Sequence, residues 1–424
     1  MHPCDVLLTD DGEMSSIYLS QSTPRWEPQT EADIAAAIAE GLLDETHYLD
    51  LKREVLPGRG ENRELARDLA QFAIDSGTLL IGVEEVKGSQ PTLAPTALDG
   101  LAERVEQVAR SVVDPPLFVA SSAIPSEADP TRGYLLVRVP ASAAAPHMVD
   151  GAYFGRGDKV RIRLSDAEVR RLHADQNAGI DVVIGELRRY VERDPVDPEM
   201  RSQSHLFAVA MPLTPRPDMA LSLINGDEAY RLLAALLRRG AAVPNSSDQF
   251  SPHLLQGMSF QRRTDGVAMS AGLTNDRQIQ QWNTGRFQED ALEVEFSEDG
   301  VVRLMTTRFS DEVADEQAVF VTMMPTLVRQ LVGVAGALAQ EMGYGGVWML
   351  GVAATGIAGR PVHWHDQWAG DSRVAADLEV YERVTSAPTM EMLDRPGPVA
   401  DRLTGRFVRA LGVDHWPTIR AVLD

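Results

Sequence analysis

Cysteine is almost missing from this 424-residue chain, with Cys4 the only one. One cysteine closes no intrachain disulfide, and no Cys cluster is present to bind zinc. That usage fits a reducing compartment, so a cytoplasmic location is the expectation. No run of ~18 apolar residues occurs, and no membrane span is expected. Met1–Glu13 has neither a basic n-region nor a long apolar stretch, so a secretory leader is not expected. Gly-Lys-Ser/Thr occurs nowhere, which removes the P-loop and most of the basis for an ATPase. The glycine-rich Gly343-Tyr-Gly345-Gly346 follows a predicted helix, where a phosphate loop would follow a strand. Internal repeats and low-complexity tracts are also absent. Lysine is scarce, and positive charge is in deficit: 40 Lys and Arg against 62 Asp and Glu, a net charge of −22. Such a field repels phosphate at long range, so any nucleic-acid site must be a local basic patch on an acidic body.

What is present reads as globular, with 44% hydrophobic and 24% charged residues. At roughly 100–200 residues per domain, the length suggests two or three domains. Residues 1–29 read as an irregular arm. Thr30 with Asp33 forms a near capping box, and Ile34, Ile38 and Leu42 follow on one helical face. In His47–Glu54, Leu49 and Leu51 alternate with Tyr48, Asp50 and Lys52, so a strand would bury the leucines and present the polar trio. Glu61–Ser76 returns to helical period, with Gly77 as its expected C′ residue. Thr78–Val83 has the apolar pattern of a buried strand. Leu101–Val113 is a predicted helix, Tyr134–Val139 a strand, Tyr153–Leu164 a hairpin, and Ser165 the cap of a short helix through Leu172. Asp181–Arg193 reads as a connecting helix, and Asp194-Pro195-Val196-Asp197-Pro198 as a domain boundary. Beyond it, Leu292–Thr307 is a hairpin turning at Glu298-Asp299-Gly300. Pro325–Met342 is a helix, Gly346–Val352 a buried strand, and Pro398 opens a last long helix. The expected fold class is α+β: a mixed-sheet domain over 30–175, a connecting helix and linker over 176–203, and a second α+β domain over 204–424. The second domain's sequence carries no chemistry of its own, and a sensing, scaffolding or oligomerising role is the expectation for it.

The stretches carrying chemistry are Glu45-Thr-His-Tyr-Leu-Asp50-Leu-Lys52, Glu64–Ala73, and Gly77-Thr-Leu-Leu-Ile-Gly82-Val-Glu84-Glu85. They set several carboxylates around one helix and two strands. Mg²⁺ and Mn²⁺ take hard oxygen ligands, and two or three carboxylates with waters are sufficient. A cation there would polarise a phosphoryl oxygen and activate water. Lys52, two residues beyond Asp50 on the same strand face, would meet phosphate charge. The plainer reading is that acidic residues flank strands because strand ends are exposed.

The order of these elements resembles the Schlafen-type, AlbA-like domain, also labelled divergent AAA or ATP-binding. The resemblance rests on Glu45, Asp50-Leu51-Lys52, Phe72-Ala73, Gly77 and Ile81-Gly82-Val83-Glu84-Glu85. A second block adds Val137-Arg-Val-Pro140, Pro146-His147, Gly151-Ala-Tyr153-Phe-Gly155-Arg156-Gly157-Asp158 and the capped helix from Ser165. It covers about residues 30–175. In nuclease members of that family three carboxylates form a metal-dependent site that cuts structured RNA such as transfer RNA. The resemblance puts them at Glu45, Asp50 and Glu85, with Mg²⁺ or Mn²⁺ as the cofactor. Asp50 stands where Glu is typical and Glu85 where Asp is common, each moving the oxygens by about one methylene. The family's likeness to antiviral effectors implies a defence role.

A phosphate-binding surface is expected on the hairpin, where Arg156, Lys159, Arg161 and Arg163 cluster. Lys159, Arg161 and Arg163 would share a face. Lys52, Arg53, Arg59, Arg63 and Arg67 form a second basic group, offset by Glu54, Glu61, Glu64 and Asp68. Solvated surface is the alternative for both. His363-Trp-His365 has a metal-pair spacing but no evident third ligand, so a structural Trp-rich loop is the simpler reading. Three functions stay open. The first is a metal-dependent endoribonuclease with Glu45, Asp50 and Glu85 on the metal and Lys52 at the phosphate. The second is a non-catalytic DNA- or RNA-binding regulator, in which homo-oligomerisation is expected. The third is a nucleotide-binding module.

Overall fold

The structure is a computed structural model. It describes residues 17, 19, 26–86, 88–142, 144–157, 159–240, 242, 258–280, 289–313, 316–363 and 379–424, without the side chains of 175–177, 313 and 363. The fold is α+β. Its N-terminal half begins with α1 (Glu31–Ala39), β1 (Leu49–Lys52), α2 (Arg59–Phe72), β2 (Gly77–Ile81) and β3 (Val83–Glu84). It continues through β4 (Thr92–Leu93), β5 (Thr96–Ala97), α3 (Leu101–Ser111), β6 (Ala120–Pro125) and β7 (Arg132–Val139). Then come β8 (Met148–Val149), β9 (Ala152–Arg156), β10 (Arg161–Arg163) and α4 (Asp166–Glu192).

The Thr30 hydroxyl accepts from the Asp33 backbone while Asp33 returns the bond, so the capping box forms. Leu49 and Leu51 are buried on one face of β1, and Asp50 and Lys52 take the other. β1 pairs parallel with β2, which pairs antiparallel with β7. A parallel pair needs a crossover, and α2 supplies it. The sheet runs β1-β2-β7-β5, with β6 also on β7, so β1 is an edge strand. Ile34, Leu49, Leu51, Leu80 and Tyr134 pack on one face, and Leu65, Leu69, Phe72, Leu79, Val105 and Val137 on the other.

Two turns differ from the sequence expectation. Gly77 is no helix cap: α2 ends at Phe72, and a Cβ on Gly77 would meet the Phe72 ring at 2.0 Å. The left-handed residue is Ser76, at φ 66. Gly82, at φ 103, interrupts the expected Thr78–Val83 strand, and a Cβ there would stand 2.8 Å from the Gly133 carbonyl. Gly82→Ala is expected to cost about 1–3 kcal/mol, read as a lower urea midpoint with an unchanged m-value.

The two helices expected around residues 165–193 are one. α4 runs 27 residues from its Ser165–Glu168 capping box and crosses the expected boundary at residue 175. No proline or left-handed residue interrupts it, so helical hydrogen bonding continues. The Asp194–Pro198 stretch is also no loose linker. Val196 is buried, and the Asp194 carboxylate, fully buried, holds His205 at 2.6 Å and Arg201 at 3.3 Å.

The C-terminal half contains β11 (His205–Pro212), α5 (Leu221–Asn225), α6 (Ala229–Gly240), β12 (Ser259–Arg263), β13 (Gly266–Ala271), β14 (Leu292–Ser297) and β15 (Val302–Thr306). It goes on through β16 (Ser310–Val313), β17 (Glu316–Phe320), α7 (Met323–Glu341), β18 (Val347–Thr355), β19 (Val362–His363) and β20 (Val380–Pro388). It closes with α8 (Thr389–Asp394), α9 (Pro396–Ala410) and α10 (Pro417–Leu423). A seven-stranded antiparallel sheet, β12-β13-β14-β15-β11-β18-β20, forms its centre. α7 lies buried against one face and α4 against the other, through Leu187 and Tyr190. The β14–β15 hairpin forms as expected, but the polar face of β14 is covered too. Glu293 is held by Arg263 and Arg277, and Glu295 by Arg303 at 2.9 Å and Arg193 at 3.4 Å. The two halves touch where Ala141 N–H donates to the Gly345 carbonyl at 3.2 Å. Arg216 also stacks over Tyr48 there, 5.5 Å from the ring centre. No helix among the described residues is long and apolar enough to cross a membrane.

Candidate functional site

An edge strand exposes a row of backbone groups, and β1 has its row closed by side chains. Leu49 N–H donates to the Thr46 hydroxyl at 3.1 Å, and Leu51 N–H to Glu45 Oε1 at 3.4 Å. Arg156 reaches in from β9. Its Nε donates to the Thr46 carbonyl at 2.7 Å, its Nη2 to the Leu49 carbonyl at 2.9 Å and its Nη1 to Asp50 Oδ1 at 3.2 Å. The guanidinium also sits 5.0 Å from the Phe72 ring centre. The side chain is 2% exposed.

The carboxylates gather beside this edge. Glu45 comes from the loop before β1, Asp50 from β1, and Glu85 from the exposed residue after β3. Burial, then the charge of Asp50, then that of Glu85, push Glu45 up to about 7, and its carboxyl hydrogen-bonds Asp50. A second cluster adjoins it on the same face of β1. Lys52 Nζ lies 2.7 Å from Asp68 of α2. Arg161 of β10 bridges Asp68 and Glu64, each at 2.8 Å. Burial works against the Lys52 charge, but Asp68 outweighs it and holds the ammonium above its ordinary value. Burial pushes Asp68 upward against the pull of Lys52. His47 ties the loop in place. Its Nε2 meets Asp75 at 3.1 Å and its Nδ1 the Gly157 carbonyl at 3.2 Å. The Asp75 hydrogen bond holds it above the usual imidazole value.

Glu45 therefore stands in electrostatic reach of both Asp50 and Glu85, and Lys52 in reach of Asp50. Among the described residues, no group of three or more His, Cys, Asp or Glu is placed to hold one metal ion. Mg²⁺ is commonly held by one or two carboxylates with waters completing its octahedron. The hydrogen-bonded Glu45–Asp50 pair fits that water-rich binding and does not form a dehydrated three-carboxylate cage.

The basic residues sit differently from expectation. Arg156 points inward and is buried. Lys159 lies in the turn between β9 and β10 and pairs with Asp44 at 2.5 Å, so it shares no strand face with Arg161. Arg161 packs on α2. Arg53 lies 3.3 Å from Glu84 and 3.9 Å from Glu54. Arg163 is exposed, and among the described residues it has no ion pair. The excess of acids explains this: nearly every arginine near the site has a carboxylate of its own chain within reach. His365 lies outside the described residues, as does the His363 side chain. The sequence reading missed Asp68 as a site member. Its signal was there, a carboxylate among Leu65, Ala66, Leu69 and Phe72 on the buried face of α2.

Glu45→Gln gives a pH test. A carboxyl raised in the folded state binds a proton the unfolded chain has lost, so stability falls as pH rises from about 4.5 to about 7. The variant lacks that loss. It is expected to match the wild type at pH 4, below the unfolded value, and exceed it by about 1–2 kcal/mol at pH 8, discounted for partial exposure. Paired urea melts at the two pH values measure it.

No protein-family profile matches this chain, and no curated protein matches it. Among solved structures it is similar to the DIP2311 protein from Corynebacterium diphtheriae. That match is 13% identical, covers 91% of this chain and has a TM-score of 0.25. This chain spans 62% of the length of that protein's chain. A likeness of this size assigns neither fold nor function.

Proposed function

We propose that this protein hydrolyses phosphodiester bonds in structured RNA of the transfer-RNA kind at the Glu45–Asp50 site. The observation that carries the reading is two carboxyl groups from separate elements in hydrogen-bond contact, partly open to solvent at the edge of β1, with Glu85 and Lys52 alongside. Holding two carboxyl groups together against their repulsion costs free energy, an arrangement functional sites use. Glu45 and Asp50 would hold Mg²⁺ or Mn²⁺, which when bound supplies Lewis-acid polarisation of a phosphoryl oxygen. The chain's own groups do the rest. Lys52, kept charged by Asp68, sets positive charge on the phosphate side. Arg163 is an exposed cation for the RNA backbone.

A second reading draws on a specific observation. Glu45 and Arg156 also satisfy backbone groups of β1, which suits a non-catalytic DNA- or RNA-binding regulator whose carboxylates hold the fold. Incubating the protein with total transfer RNA and Mn²⁺ separates the two. Discrete products that disappear with a chelator are expected. Intact RNA bound by a folded protein would favour the regulator.

A further inference from the structure

A cavity of about 510 Å³ lies between the two halves, and none of Glu45, Asp50 and Glu85 lines it. That volume falls inside the ~300–1,000 Å³ range of small-molecule sites, which concentrate where two packed units meet. One wall is the end of α2, Ile74 and Asp75, with Ala145 and Pro146. The second is α4, through Leu172 and Val182. The floor is the end of β11 and the start of β18. α4 approaches that floor closely: a Cβ on Gly179 would stand 2.6 Å from the Leu213 side chain. The lining is largely apolar.

Two charged residues line the cavity among those described, Asp75 and Arg171. Arg171 is exposed at the rim, where Glu168 feels its charge. Asp75 is inside, with a side chain 29% exposed. Its Oδ2 meets His47, and among the described residues its Oδ1 has no hydrogen-bond donor. A ligand carboxylate placed against Asp75 would be repelled, and a purely apolar ligand would strip water from Oδ1 without replacing it. An ammonium on an apolar body answers both demands, through a charge-assisted bond at one end and burial of the rest.

We infer that the cavity bounded by Asp75, α4 and the β11–β18 floor binds a small amphipathic amine, its ammonium on Asp75 and its apolar body against Met211 and Met349. The inference stands apart from the RNA reading, because it uses neither the carboxylate pair nor the basic residues. It also gives such a ligand a route to that site. Asp75 holds His47, His47 holds the Gly157 carbonyl, and the neighbouring Arg156 closes the edge of β1.

The test uses three probes of one shape, phenethylamine, phenethyl alcohol and phenylpropionate, titrated calorimetrically into the full chain. Phenethylamine is expected to bind about tenfold tighter than the alcohol, and phenylpropionate more weakly than either. In Asp75→Asn the advantage of the amine over the alcohol should vanish. Val182→Trp changes a half-exposed position, so the fold tolerates it, and the indole should fill the cavity and abolish binding of the amine and the alcohol alike. Equal affinities of amine and alcohol in the wild type would overturn the inference. So would preference for the carboxylate, binding of none of the three, or binding unchanged in Val182→Trp.

Discussion

Arg156→Ala should lower the stability of the chain by about 3–5 kcal/mol, the usual cost of removing one partner from a buried ion pair. The expectation follows from what the guanidinium does. It donates to the carbonyls of Thr46 and Leu49 and to Asp50, and it stacks on Phe72. Alanine leaves two edge carbonyls and one carboxylate without this donor and a void over the ring. Water can enter at the edge of β1 and repay a part, since Asp50 keeps some exposure. Arg156→Lys should recover only a fraction, because one ammonium cannot span three acceptors set by a planar fork. Urea unfolding followed by circular dichroism measures both variants. A loss under about 1 kcal/mol in the alanine variant would contradict the placement of Arg156, since that is the range of exposed pairs.

His205→Ala carries an effect of similar size for a different reason. The imidazole is fully buried between Asp194, at 2.6 Å from Nδ1, and Glu289, at 2.7 Å from Nε2. Burial disfavours its charge, but the two carboxylates outweigh burial and raise it above the ordinary histidine value. Glu289 in turn is held low, against its burial, by His205 and the Ser202 backbone. Removing the imidazole takes from each buried carboxylate a charged partner that Arg201 and Ser202 replace only in part, and a loss of about 3 kcal/mol is expected. The pH dependence has a definite sign. A raised histidine contributes stability fully below its unfolded value of about 6.5, and that contribution is lost as pH rises through the folded value. Wild-type stability should therefore carry a downward component through that window that His205→Ala lacks. Melts of both proteins at several pH values read it, and identical pH slopes would sink the account of this cluster.

Residues 30–175 were legible in the sequence to different depths. The Thr30–Asp33 box, the Leu49/Leu51 alternation and the helical period of Glu61–Ser76 are local signals, and each element forms, the helix ending at Phe72. The inward turn of Arg156 was not legible, because it depends on which strand edge the hairpin meets in space. Reading Arg156 as surface charge took the chain's basic residues one at a time, while the excess of acids decides where they point. The unbroken α4 was hidden by the polar stretch His173–Asn177, which weakens apolar periodicity without breaking hydrogen bonds. In β14 the alternation showed a strand and concealed the burial of Glu293 and Glu295, since their arginine partners come from β12, β15, α4 and the loop holding Arg277.

The central claim is that Glu45 and Asp50 perform chemistry on RNA, and one assay tests it most directly. Cleavage of total transfer RNA with Mn²⁺ is timed for the wild type, Glu45→Gln and Asp50→Asn, with folding of each checked by circular dichroism. Both variants replace a charge with a near-isosteric amide, so the backbone bond from Leu51 to residue 45 can persist. The expected result is discrete cleavage by the wild type, lost on chelation and slowed at least about a hundredfold in each folded variant. Folded variants that cut as fast as the wild type would contradict the account, and so would RNA left intact by the wild type.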